Sequence, residues 1–311
     1  MYKSIMNIKE QLSLISRLSG KTQEKLAAEL KVSFPTINSW INGKTEPRQD
    51  AKRRIEELYL RLTGQNEVPG TQLAGKKNAI LHTGKNYPDL VAWLSSRKDL
   101  YDQFLLSLTY NTNRIEGSTL TEPETAAILF QNSALADKSI IEQMEVKNHQ
   151  AVFSCMMKYV AGGRPITEDF IQKMHSKLMN GIKEDAGFYR RHAVRIAGSH
   201  VPTANYLKIA DLMPELVKTI QKGEKDAIGF AAHIHSRFEQ IHPFSDGNGR
   251  VGRLLLWAML LQKNIAPAII AQENRRFYIM YLNQSQLQGD HNRLEDFICD
   301  GILDGYKLLK D

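Results

Sequence analysis

Apolar residues recur along most of this chain at the three- and four-residue spacing of helices buried on one face. Residues 22–30 read as a capped amphipathic helix, and Ser33 is placed to cap a second one running through Thr36, Ile37, Trp40 and Ile41. Ala27 is small where two such helices would cross, and Leu26, Leu30, Val32, Ile37 and Trp40 have the spacing to pack them together. The period fails after residue 62, where Pro69 and Gly70 close a polar run, and 63–97 reads as a linker. It resumes towards Ile115, with Leu100, Phe104, Leu105 and Leu108 apolar. Further helices are predicted at 122–131, 140–160, 167–179, 209–222 and 227–241, and a largely apolar one at 251–261. Only 194–202 reads as a short hairpin. The pattern predicts an all-α chain with one small β-hairpin, divided into a small helical unit at 1–62 and a larger one at 98–311.

Composition narrows this picture in two ways. Hydrophobic residues make up 42% and charged residues 24%, as in ordinary globular chains. The longest uncharged apolar stretch, 254–262, is far short of the ~20 residues that span a bilayer, so no membrane is expected. The opening residues lack the apolar core of a signal peptide, and the two cysteines, Cys155 and Cys299, lie in no metal or redox motif. A cytoplasmic, reducing setting is the expectation. The net charge of +7 is concentrated at the start, where residues 1–62 hold twelve Lys/Arg against seven Asp/Glu, a balance of +5. That asymmetry suits either nucleic-acid binding or a solvated helical surface.

The chemistry is concentrated in His242-Pro243-Phe244-Ser245-Asp246-Gly247-Asn248-Gly249-Arg250-Val251-Gly252-Arg253. A histidine can take a proton near neutral pH, and an aspartate four residues on offers hard oxygens to Mg²⁺. Gly247 and Gly249 allow a close backbone approach. Asn248 and Gly249 fall at the start of the predicted helix, where N–H groups and the dipole attract anions. Arg250 and Arg253, three apart, share one helical face. Together these suit the handling of a polyphosphate. His233 and His235 do not extend the set to a metal site, because residues two apart on a helix face different ways and no carboxylate accompanies them. A structural role is expected for His235.

This run resembles the signature of the Fic family at every fixed position, and the likeness extends over roughly residues 98–311. The resemblance implies a helical domain that uses ATP and Mg²⁺ to move AMP onto a Tyr, Thr or Ser hydroxyl of a target protein. It implies His242 as the base, Asp246 as the metal ligand, and Gly247, Asn248, Gly249, Arg250 and Arg253 around the phosphates, with Phe244 packed beneath the loop. The stretch 187–202 looks like the family's hairpin flap, with Ser199 and His200 placed to dock the target backbone. Residues 273–278 resemble part of an adenine and ribose pocket, with Asn274 and Tyr278 as contacts. Thr112-Asn113-Arg114-Ile115-Glu116-Gly117 fits the family's inhibitory motif, so Thr112, Glu116 and Gly117 are its expected members and Glu116 is expected on Arg253. A surface glutamate before a capping glycine would look the same.

The first unit resembles the helix-turn-helix of phage-repressor-like DNA-binding domains, with 42–48 matching their following loop. Ser33, Thr36, Ser39 and Lys44 are its candidate DNA contacts. Lys31 departs from the glycine usual in the turn, and Phe34 and Pro35 are poor readers of base edges. Docking or dimerisation through this unit therefore stays open. So do a DNA-binding regulator with a silent or nucleotide-sensing second domain, and removal of AMP assisted by Glu116. Transfer of a terminal phosphate is also open, although relatives with that chemistry carry Lys where this chain has Gly249.

Overall fold

The computed structural model describes residues 6–196 and 201–309, and the chain divides into two compact units, Met1–Glu67 and Val68–Asp311. The first holds α1 (Ile8–Ser19), α2 (Gln23–Glu29), α3 (Phe34–Ile41) and α4 (Gln49–Thr63). Its helices begin on local signals. Asn7 and Glu10 form a reciprocal capping box, and the Thr22 and Ser33 hydroxyls accept from the backbone N–H groups of Lys25 and Thr36. Leu12, Ile15, Leu26, Ile37 and Ile55 are fully buried between the four helices. Lys31 sits at φ 53° in the turn before α3, the left-handed conformation that glycine adopts without strain. Keeping a lysine there costs about 1 kcal/mol.

The second unit comprises α5 (Gly70–Gly84), α6 (Leu90–Ser95), α7 (Lys98–Ile115), α8 (Glu122–Gln131), α9 (Ile140–Ala161), α10 (Glu168–Leu178), α11 (Ile209–Lys222), α12 (Ala227–Ile241), α13 (Asn248–Gln262), α14 (Arg275–Gln288) and α15 (Asn292–Leu308). Helix α13 is its axis. Val251, Leu254, Leu255, Leu256, Ala258 and Leu260 are wholly buried, because α7, α9, α10 and α12 surround it. From Leu254 to Leu261 the helix is apolar on every side, and that demands a buried position. Among the described residues no helix is long and apolar enough to cross a membrane.

Two expectations need correction. The stretch 63–97, read as a linker, carries α5 and α6. Helix α5 buries little beyond Leu73 and Ile80 and docks on α15 and the start of α12 through charge: Lys76 pairs with Asp296 and Asp300 of α15, each at 2.7 Å, and Lys77 with Glu295 of α15 and with Asp226 at the cap of α12. A helix held by ion pairs leaves almost no apolar period to read. The hairpin is the other: no strand forms among the described residues, and 191–196 and 201–205 are irregular. There the Thr203 hydroxyl donates to the Val194 carbonyl at 2.9 Å, a side-chain tie in place of ladder pairing. Ser199 and His200, expected on the flap, lie outside the described residues.

Candidate active site

The turn between α12 and α13 is shaped by residues that cannot be read from the turn itself. His242 ends α12 at φ 52°, in the left-handed region. Its Nδ1 lies 3.2 Å from the Glu239 carbonyl. A carbonyl only accepts, so Nδ1 carries the proton and Nε2 is left as the basic nitrogen. Burial, together with the charge of Arg190, lowers the imidazole pKa against the opposing pull of Glu239, Glu116 and Asp246, so His242 is neutral near pH 7.

Arg190 holds this turn in place. Only 3% exposed, it donates to the carbonyls of His242, His192 and Ala204 at 2.7 Å each and to that of Ile241 at 3.4 Å, while its own N–H donates to Pro243. His175 supports the turn from below. Its ring stacks on Phe244 at 3.7 Å; its Nδ1 accepts from the Gly187 N–H, so Nε2 donates to the Asp246 carbonyl at 3.0 Å. Asn248 staples the turn, exchanging two 2.8 Å bonds with the backbone of Phe244. Its amide is thereby spent inside the protein, and Phe244 is fully buried.

Above this frame the groups fall into an open face and an occupied one. Asp246 accepts from the Gly247 N–H at 2.7 Å and lies 3.3 Å from Lys183, with nearly half of its side chain exposed. Gly247, at φ 74°, precedes α13 and no side chain caps that helix. Its first-turn N–H groups are therefore left without a side-chain cap, the arrangement in which helix starts attract anions. Among the described residues no cluster of three His, Cys, Asp or Glu groups is arranged to hold a metal ion. One exposed carboxylate nevertheless suits Mg²⁺, which keeps several waters and takes further oxygens from phosphates.

The occupied face is Arg253. The guanidinium, 1% exposed, donates from Nε to the Thr112 hydroxyl at 2.7 Å and from one terminal nitrogen to the Thr112 carbonyl at 3.3 Å and to Glu116 Oε1 at 2.5 Å. Thr112 and Glu116 belong to the last turn of α7 and its cap. Burial would raise the Glu116 carboxyl, but the charge and hydrogen bond of Arg253, with the charges of Arg250 and Arg275, outweigh it and hold Glu116 below the ordinary carboxylate range. Gly249 gives the carboxylate room: a Cβ there would collide with Glu116 Oε1. Arg275 steadies the same end of α7 by donating to the Ile115 carbonyl at 2.6 Å, and Gly117 leaves the helix at φ 107°. Arg250, 3% exposed, pairs with Glu145 of α9 at 2.6 Å.

Tyr278 is 2% exposed and lies under Arg253, with 5.8 Å from guanidinium to ring. Its hydroxyl is 2.7 Å from His235 Nε2, while His235 Nδ1 lies 3.1 Å from the Gly252 carbonyl. Tyr278 therefore donates and His235 accepts, its pKa pushed by burial down to about 3. Asn274 is half-buried in the short turn before α14. In the first unit, the Ser33 and Thr36 hydroxyls bond each other at 2.8 Å, Ser39 bonds Thr45 at 2.7 Å, and Lys44 is exposed. Sequence reading missed His175 and Glu145, took Arg190 as part of the flap alone and gave Arg275 only as a member of the 273–278 run. No local spacing marks these residues, since each acts on a partner 52 to 160 positions away.

With this geometry in view, similarity to known proteins becomes informative. The Fic/DOC family matches over residues 165–260, which include the whole site turn, and a helix-turn-helix family matches over 17–59. The chain carries a Fic domain. Ahead of it in sequence stands a helix-turn-helix domain. The chain is similar to the protein adenylyltransferase Fic of Nematostella vectensis, with 33% identity over 273 residues, 79% of this chain and 60% of the relative. It is also similar to the protein of that name in Aedes aegypti, with 30% identity over 258 residues, 80% of this chain and 46% of the relative. It thus spans between about half and three-fifths of the length of these two relatives. Among solved structures, a Fic-domain-containing signaling protein of Bacteroides thetaiotaomicron aligns with a TM-score of 0.63 at 24% identity, covering 76% of this chain and 94% of its own. A Fic family protein of Desulfovibrio desulfuricans aligns at 0.64 and 20%, covering 79% and 75%. These likenesses concern the fold.

Proposed function

We propose that the chain is a protein adenylyltransferase that moves AMP from ATP to a Tyr, Thr or Ser hydroxyl of a target protein, and that Glu116 restrains it. One observation carries this reading: a neutral imidazole with a basic Nε2, an exposed carboxylate and an uncapped helix start adjoin an arginine already engaged by a carboxylate. The naming of the relatives supports it. In the proposed reaction the target oxygen attacks the α-phosphorus of ATP, its proton passes to His242 Nε2, and the bond to the β-phosphate bridging oxygen breaks to release pyrophosphate. The N-terminal amides of α13, with Arg250 and Arg253, would hold the phosphates, and Asn248 would keep the turn in shape. Asp246 would hold Mg²⁺, whose charge would ease departure of the pyrophosphate. Asn274 and Tyr278 would bound the nucleoside end of the pocket, and the flap, with Ser199 and His200, would dock the target.

Restraint follows from charge competition. The Glu116 carboxylate holds the guanidinium that a terminal phosphate needs, so ATP would bind in a poorly reactive pose while Glu116 stays. The test is incubation of the wild type and Glu116→Gly with α-labelled and, separately, γ-labelled ATP. Protein labelled only from the α-position, and more heavily in Glu116→Gly, is the expected result. Label from the γ-position would mean phosphate transfer, and label that wild type removes faster than the variant would make Glu116 a catalyst of AMP removal.

A second reading concerns the first unit. The charge balance of +5 over residues 1–62 and the exposed Lys44 support DNA as a partner, although Phe34 and Pro35 stand at the front of α3. The full chain should then shift DNA in a mobility assay at low salt and lose it steeply as salt rises. No salt-sensitive shift would favour docking or dimerisation, and a shift unaffected by Lys44→Glu would remove Lys44 from the contacts.

A further inference from the structure

Two arginines of the site turn each meet one carboxylate from a distant helix, yet the two contacts differ in kind. Glu116 caps α7 at the edge of a loop, and with Thr112 it takes both Nε and a terminal nitrogen of Arg253. Glu145 lies within the 22-residue α9, which packs along α13, and it takes a single terminal nitrogen of Arg250. Among the described residues, the second terminal nitrogen of Arg250 has only Met179 Sδ at 3.8 Å and Asp246 at 3.9 Å, and its buried Nε has no hydrogen-bond partner. A carboxylate fixed to a packed helix cannot swing aside for a ligand. One that occupies a single corner of a guanidinium fixes the plane and leaves the other donors aimed elsewhere.

We propose that Glu145 is a positioning residue, which sets the Arg250 guanidinium so that its remaining donors meet the phosphates of the nucleotide. This rests on the reading of Arg250 as a phosphate ligand. Glu145 and Glu116 therefore act with opposite signs: removing the carboxylate on Arg253 releases the site, and removing the carboxylate on Arg250 disables it. A buried guanidinium freed of its one strong partner turns within its pocket, and a small error in a phosphate donor's position is expensive in rate.

The experiment uses the full chain carrying Glu116→Gly, with Glu145→Ala, Glu145→Gln, Arg250→Ala and the Glu145→Ala/Arg250→Ala pair added. Two quantities are read, the rate of protein labelling from α-labelled ATP and the affinity for ATP with Mg²⁺ by titration calorimetry. Glu145→Ala is expected to lower transfer by about 10-fold or more, and Glu145→Gln, which keeps an acceptor of the same size, to recover most of it. The pair should be no worse than Arg250→Ala alone, because a residue acting through Arg250 has nothing left to act on. Should Glu145→Ala not fold, Glu145→Gln carries the same test through a smaller loss that vanishes once Arg250 is gone. Faster transfer in Glu145→Ala, unchanged transfer, or losses that multiply in the pair would each overturn the proposal. If the parent labels no protein, the adenylyltransferase reading fails while the affinities still decide: equal, non-additive losses uphold Glu145, and independent losses overturn it. Arg250→Ala without effect on either quantity overturns both.

Discussion

Helix α3 and helix α13 begin in the same way in sequence, with a polar turn leading into an apolar helix, and in opposite ways in chemistry. At α3 the Ser33 hydroxyl fills the cap and bonds Thr36 in addition, so the helix start is satisfied by its own residues. At α13 the capping position is Gly247, which has no side chain to offer, and the turn before it is held by Arg190 and His175 from far along the chain. A helix start that closes itself contributes to folding. One left open and braced from outside can accept an anion, at the cost of relying on remote residues.

The comparison can be broken most severely at the base. His242→Ala should reduce AMP transfer by about 10²- to 10⁴-fold while leaving ATP affinity nearly unchanged; equal loss of both would make His242 another brace. Next comes the brace itself. Arg190→Ala leaves four carbonyls without their donor and should cut transfer by about 10- to 100-fold, with a lowered thermal midpoint for the second unit alone; retained activity would mean that the turn holds its own shape. Glu116→Gly should raise transfer by 10-fold or more if the competing pair is worth about 1.4 kcal/mol in the reactive pose, and side-by-side labelling with wild type reads it directly.

The pH dependence sharpens the same contrast. A base must be neutral, and the His242 pKa is lowered, so the acid limb of the rate should fall below the ordinary imidazole value of about 6.5. Loss of Glu116 removes a charge that raises that pKa, so the limb should lie lower still in Glu116→Gly. A limb above about 6.5 in rate-against-pH profiles would assign it to another group. The smallest effect belongs to α3: Ser33→Ala should cost about 1 kcal/mol of stability in the first unit, read by thermal melting, with transfer by the second unit untouched.

What could be read beforehand follows the same division. Helices α2, α3, α8 and α12 announce themselves through apolar spacing and capping residues, α11 through spacing alone, and the structure places α8 at Glu122–Gln131, as the spacing predicts. The chemistry of the turn is legible because its residues are contiguous. The pairing of Glu116 with Arg253 followed only from family likeness, since no rule of spacing joins positions 137 apart. Arg190, His175 and Glu145 stayed hidden for that reason. Helix α5 was missed on other grounds, because four acidic partners, and not an apolar stripe, hold Lys76 and Lys77 in place.

The absent side chain at Gly249 reaches further than local packing. The space where a Cβ would stand is the space that the Glu116 carboxylate fills. A mutation that put any larger residue at 249 would therefore force the Glu116 carboxylate to shift, and on the proposed reading it would disturb the restraint and the phosphate site in one step. Under the proposed restraint by Glu116, a chain that carried a larger residue at 249 would need its control from another place.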